Sequence, residues 1–118
     1  MTTAAETVRN IISLSPVIDV RRNCPELTAE MFVDSNFKHI VNRRLVWSKV
    51  QPFVNRSLYA LAQSISGNLT GESVAWAIEV TIENVRDSVN RRRKWSEVRP
   101  SIVSDVIKVI RAAEDLIR

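Results

Sequence analysis

Val41-Asn42-Arg43-Arg44-Leu45-Val46-Trp47-Ser48-Lys49-Val50-Gln51-Pro52 aligns without a gap with Val89-Asn90-Arg91-Arg92-Arg93-Lys94-Trp95-Ser96-Glu97-Val98-Arg99-Pro100, at an offset of 48 residues. The shared letters are V-N-R-R, W-S, V and P, and they include tryptophan, which occurs only three times in the chain. Identity of that density points to an internal repeat. Upstream, Leu27-Thr28-Ala29-Glu30 is loosely echoed by Leu69-Thr70-Gly71-Glu72. The chain therefore reads as two unequal copies of one helical unit, about residues 27–66 and 69–117. Two copies are too few for a solenoid, so the expectation is a single pseudo-symmetric domain.

Composition agrees with an all-α fold of five to six helices. A chain of 118 residues, 45 % apolar and 25 % charged, is sized for one self-sufficient core and is not a disordered composition. Two glycines and four prolines are too few for the many tight turns of a sandwich or barrel.

Spacing places the helices. Val8, Ile11 and Ile12 share a face of a helix over residues 4–13, ending before Pro16. Residues 16–25 read as loop. Leu27-Thr28 opens a short helix capped by Thr28, with Met31 and Phe32 inward. Asp34 or Ser35 then caps a helix carrying Phe37, Ile40 and Val41. Val54, Leu58, Leu61, Ala62 and Ile65 predict a helix over 52–66, which Gly67-Asn68 stops. Thr70 caps a helix over 71–79, and Thr81 caps another over 82–93. The last helix is expected from Pro100 or Ser101 to the end. Its apolar residues, from Ile102 to Ile117, cover more than one stripe, so it is either central to the bundle or half of a homodimer interface.

Catalytic equipment is sparse. Cys24 is the single cysteine and His39 the single histidine, so no disulfide or cysteine metal cluster can form within one chain. Cys24 before Pro25 carries no nucleophile signature and reads as a small core or loop residue. No glycine cluster exists to wrap a phosphate. The expectation is a non-enzyme with no metal and no cofactor. Glu6 and Arg9 interrupt any apolar leader, and no stretch approaches a membrane span, which points to the cytoplasm, or the nucleus in a nucleated source. Without a secretory leader, the triplets Asn55-Arg56-Ser57 and Asn68-Leu69-Thr70 read as chance matches to the glycosylation signal.

Glu72-Ser73-Val74-Ala75-Trp76-Ala77-Ile78, then Glu79-Val80-Thr81, then Ile82-Glu83-Asn84-Val85-Arg86-Asp87-Ser88-Val89-Asn90 place small Ala75 where two helices would cross. Val74, Ile78, Val80, Val85 and Val89 fall inward, and the Thr81 hydroxyl can open a second helix. On these residues the segment 69–92 resembles a helix-turn-helix unit, the generic DNA-reading motif of many bacterial and phage repressors. Glu79 stands where that motif usually has a turn glycine. The resemblance implies that Thr81, Ile82, Glu83, Arg86, Asp87 and Asn90 face the major groove, Arg86 suited to guanine and Asn90 to adenine. Glu83 and Asp87 oppose a polyanion there. The matching face of the first copy holds Asn36, Lys38, His39, Asn42 and Arg43.

Net charge is +4, with cations concentrated in residues 38–49 and 86–99. One or two cations at a helix C-terminus complement its dipole, and Asp87–Arg91 and Glu83–Arg86 can pair along a helix. Arg91-Arg92-Arg93-Lys94 exceeds that need and points to an anion-facing patch. The candidate site residues are Lys38, Asn42, Arg43, Arg44, Arg86, Asn90, Arg91, Arg92, Arg93 and Lys94. Trp47 and Trp95 read as packing anchors, with base stacking the alternative, and Trp76 reads as core. Two partners fit: a nucleic acid, DNA before RNA, or an acidic protein surface gripped by an adaptor or viral-type inhibitor. A membrane role does not fit, because the last helix lacks a distinct cationic face.

Overall fold

Apolar residues three and four apart build five helices in a computed structural model that describes residues 15–118. They are α1 (Pro25–Asn36), α2 (Lys38–Asn42), α3 (Trp47–Ser66), α4 (Glu72–Asn90) and α5 (Trp95–Leu116), with no strand among the described residues. The helix expected over 4–13 lies outside the described residues. None of the helices is long and apolar enough to cross a membrane.

The wide apolar surface of α5 is explained by position. This helix packs against α1, α2, α3 and α4. Ile102, Val106, Val109, Ile110 and Ala113 are buried among them, so its several stripes face several neighbours. Phe32, Val33, Phe37, Ile40 and Val41 from α1–α2 join Val50, Phe53, Val54, Leu58 and Leu61 from α3 in the same core. The radius of gyration is 13.8 Å, close to the ~13 Å of a compact chain of this size, and the molecule is elongated at 47 × 27 × 23 Å.

Several helix starts differ from expectation. α1 begins at Pro25, where the missing N–H of a first-turn proline costs nothing. Thr28 is thus no cap. It is buried, accepts from the Arg21 N–H at 2.8 Å and donates to the Arg21 carbonyl, pinning the entering loop. Asp34 and Ser35 belong to the last turn of α1, and the break falls at buried Phe37. Asn36, expected on an outward face, is buried; its amide exchanges two 2.9 Å hydrogen bonds with the Val17 backbone. Gly67, at φ +66°, ends α3 as expected, its N–H donating to the Gln63 carbonyl.

The largest departure is α4. Glu79-Val80-Thr81 lies inside one uninterrupted helix of 19 residues, so the helix-turn-helix turn does not exist. Thr81 does not cap; it is fully buried and its hydroxyl donates to the Ala77 carbonyl at 2.8 Å. Nothing between Gly71 and Asn90 breaks a helix, and glutamate is a good helix former where the motif needs positive φ. Thr70 does not cap either, since Gly71 holds the N-cap position with no side-chain bond. Trp76, expected in the core, is 65 % exposed.

α3 and α5 begin five residues before their prolines, at Trp47 and Trp95. Pro52 and Pro100 each remove one hydrogen bond from the ladder. The carbonyls so released belong to Ser48 and Ser96, both exposed residues, a setting in which solvent can take the place of the lost donor. Burial of Val50, Trp95 and Val98 in the added turns offsets the cost.

Candidate functional site

The repeated segment folds into the same corner twice. After α2, Arg43 closes the helix and Arg44 turns left-handed at φ +52°; after α4, Arg91 closes and Arg92 turns at φ +53°. In each, the N–H of the left-handed residue donates three residues back, Arg44 to Val41 and Arg92 to Val89, both at 3.2 Å. The next N–H donates five back, Leu45 to Ile40 and Arg93 to Ser88. This is the Schellman closure, usually built on glycine. Val46 and Lys94 then hold extended N-caps, and α3 and α5 start on tryptophan. The correspondence stops at the lead-in helices, five residues in α2 against 19 in α4.

The corners share a site. A cavity of about 360 Å³ is lined by Val41, Asn42 and Arg44 from the first and by Arg92, Arg93, Lys94, Trp95 and Ser96 from the second. Four cations line it and no carboxylate does. Where the first corner turns buried Leu45 inward, the second places Arg93 at the same position, and that exchange adds a charge to the cavity.

Counter-charges are few. Arg91 pairs with Asp87 at 2.8 Å, as the four-residue spacing predicts, and Arg93 reaches Glu97 at 4.0 Å. Among the described residues, Arg43, Arg44, Arg92 and Lys94 have no carboxylate within ion-pair distance, and Arg86 does not pair with Glu83. Residues 38–49 and 86–99 hold ten cations against two carboxylates, leaving seven cations and eleven carboxylates elsewhere. The positive charge of the chain is thus segregated onto the two segments whose turns meet.

All ten sequence-derived site residues are exposed. Asn42, Arg44, Arg92, Arg93 and Lys94 are brought together at the cavity; Lys38, Arg43, Arg86, Asn90 and Arg91 are not part of its lining. Ser96 and Trp95, which do line it, carry the W-S signal of the repeat. Trp95 is 8 % exposed and Trp47 half-buried against the core, the geometry of anchors rather than of a stacking platform.

His39, one turn before Arg43, is half-buried, and its Nε2 is buried without a hydrogen-bond partner. Burial, and secondarily the Arg43 charge, lowers its pKa, which favours the neutral ring. Cys24 lies at the N-cap of α1 and lines a different cavity, which His39 does not touch. Among the described residues no three of His, Cys, Asp and Glu group as metal ligands. No family model, curated protein or solved structure matches the chain.

Proposed function

We propose that this protein is a small non-catalytic nucleic-acid-binding protein that engages backbone phosphates with its paired arginine corners, built from two unequal copies of a helical unit. The observation that carries this is the convergence of Arg44, Arg92, Arg93 and Lys94 on one cavity without a carboxylate. Cations held together, three of these four without a carboxylate at ion-pair distance, repel one another, and a polyanion relieves that repulsion while releasing its own counterions. Rigid corners favour shape and phosphate recognition over base reading, because phosphate contacts position a protein without carrying sequence information. With α4 unbroken, Arg86 and Asn90 have no recognition helix to present them, so weak sequence preference follows.

Four to six phosphate contacts give a salt slope of about −4 to −5 on duplex DNA, a loss of ~100- to ~2,000-fold between ~50 and ~200 mM salt. Changing Arg91, Arg92 and Arg93 to alanine abolishes that binding while the exposed positions leave the fold intact. No binding at the lower salt refutes the proposal and leaves an acidic protein surface as the ligand of the corners.

A further inference from the structure

The start of α4 lies against the end of α5, where Gly71 makes room for Leu116: a β-carbon on the glycine would stand 2.9 Å from the leucine Cδ2. Beside this contact a groove of about 620 Å³ is lined by Trp76 and buried Ala77, with Glu72, Asp115, Lys108 and Arg111 around them. Trp76 is the most exposed large apolar side chain among the described residues, and exposed Leu69 and Ile117 flank the same helix ends. Tryptophan is the residue most enriched at interface hot spots, where a pocket with a charged rim completes its burial.

Charge decides what covers it. Two carboxylates and two cations make the rim neutral and self-complementary, as an isologous interface requires. A nucleic acid meets repulsion from Glu72 and Asp115, and a peptide of one sign meets two unlike and two like charges. The existing pairs of Arg111 with Glu26 and of Asp115 with Arg118 are exposed and exchange at little cost, while Lys108 only reaches Asp105 at 4.0 Å. Trp76 also lies 14 residues along α4 from Asn90, about 21 Å at helical rise, beyond the ~8 Å screening length at physiological salt. An interface centred on Trp76 therefore lies outside the screened field of each chain's own cationic corner.

We propose that the Trp76 groove is the two-fold interface of a homodimer, Trp76 of each copy seated in the groove of the other and the rim charges paired across the axis. Sedimentation of the full chain from ~1 to ~500 µM reads it directly, and Trp76→Ala weakens the dimer at least ~tenfold, the effect of removing an aromatic hot spot. Two exposed-rim variants make the test independent of the tryptophan. Glu72→Lys with Asp115→Arg gives an all-basic rim, and Lys108→Glu with Arg111→Glu an all-acidic one. Each alone is monomeric, and mixing them gives a heterodimer. A chain that stays monomeric throughout the range, a dimer indifferent to Trp76→Ala, or rim variants that do not pair on mixing overturns the proposal.

Discussion

Arg44 and Arg92 sit at φ +52° and +53°, where an L-residue is strained and glycine is not. Left-handed backbone costs a side-chain-bearing residue about 1–2 kcal/mol. Replacement by glycine relieves this but frees the unfolded chain, which returns about 0.4–1 kcal/mol. The net gain is about 0.5–1 kcal/mol per corner, hence ~1–2 kcal/mol for Arg44→Gly with Arg92→Gly, and reduced repulsion between the corners adds in the same direction. For a domain of this size that raises the melting temperature by roughly 4–8 °C.

The same double variant removes two of the four cations lining the cavity. If both contact phosphates, the salt slope for duplex binding becomes shallower by ~1.8. Thermal melting followed by circular dichroism reads the first effect, and fluorescence anisotropy across a salt series reads the second. Arg44→Ala with Arg92→Ala is the control: alanine keeps the backbone strain and loses the charge, so the slope changes as before without the stabilisation. A lower melting temperature in the glycine variant means the arginine side chains hold the corners together. An unchanged slope means they touch no phosphate, and the site lies elsewhere.

Glu79→Gly costs about 1 kcal/mol in chemical denaturation because it sits mid-helix in α4; a neutral or stabilising result would restore the turn that the helix-turn-helix pattern requires. Arg99 clamps Asp34 through two hydrogen bonds of 2.8 and 3.0 Å, which hold the carboxyl below its ordinary 3.8, so the stability it contributes is present above pH ~4 and lost as pH falls through the lowered value. Asp34→Ala therefore costs about 0.5–1 kcal/mol at neutral pH and nothing once the wild-type carboxyl is protonated, a difference that paired melts at pH 7 and pH 2–3 would show. Desolvation lowers the pKa of His39, so its contribution is complete above about 6.5 and declines as pH drops through the folded value. The wild-type melting temperature falls between pH 7 and pH 5, and His39→Gln flattens that slope; parallel slopes would place the titrating group elsewhere.

Helical class and core membership were legible in the sequence because apolar spacing fixes both. Phe37, Ile40, Val41, Val54, Leu58 and Leu61 are all buried, and the stop at Gly67 falls where positive φ demands it. Helix boundaries were misread where a residue can play two parts. Thr28 and Thr81 resemble caps, yet a buried threonine inside a helix satisfies its hydroxyl on a backbone carbonyl, as Thr81 does on Ala77. Pro52 and Pro100 resemble helix starts, but a proline one turn inside is tolerated where the released carbonyl belongs to an exposed residue, as at Ser48 and Ser96. Trp76 reads as core on residue type alone, but it stands about 160–200° around α4 from Val74, Ile78 and Val85, so the helical period places it on the outer face where it is found.

The candidate site was legible as two arginine clusters but not as one place, because convergence depends on how α2 packs against α4 and α5, contacts that are remote in sequence. The repeat nonetheless carried a local clue to function. At a Schellman corner the fold alone selects glycine, and this chain, with only two glycines in all, puts arginine at that position in both corners. Strain retained at paired positions lining a single cavity supports the proposed reading of that cavity as a binding site. The run of three arginines and a lysine is then explained by geometry: Arg91 ends the helix and is neutralised by Asp87, whereas Arg92, Arg93 and Lys94 form the turn itself and line the cavity. A helix-dipole role accounts for the first of these residues and not for the other three.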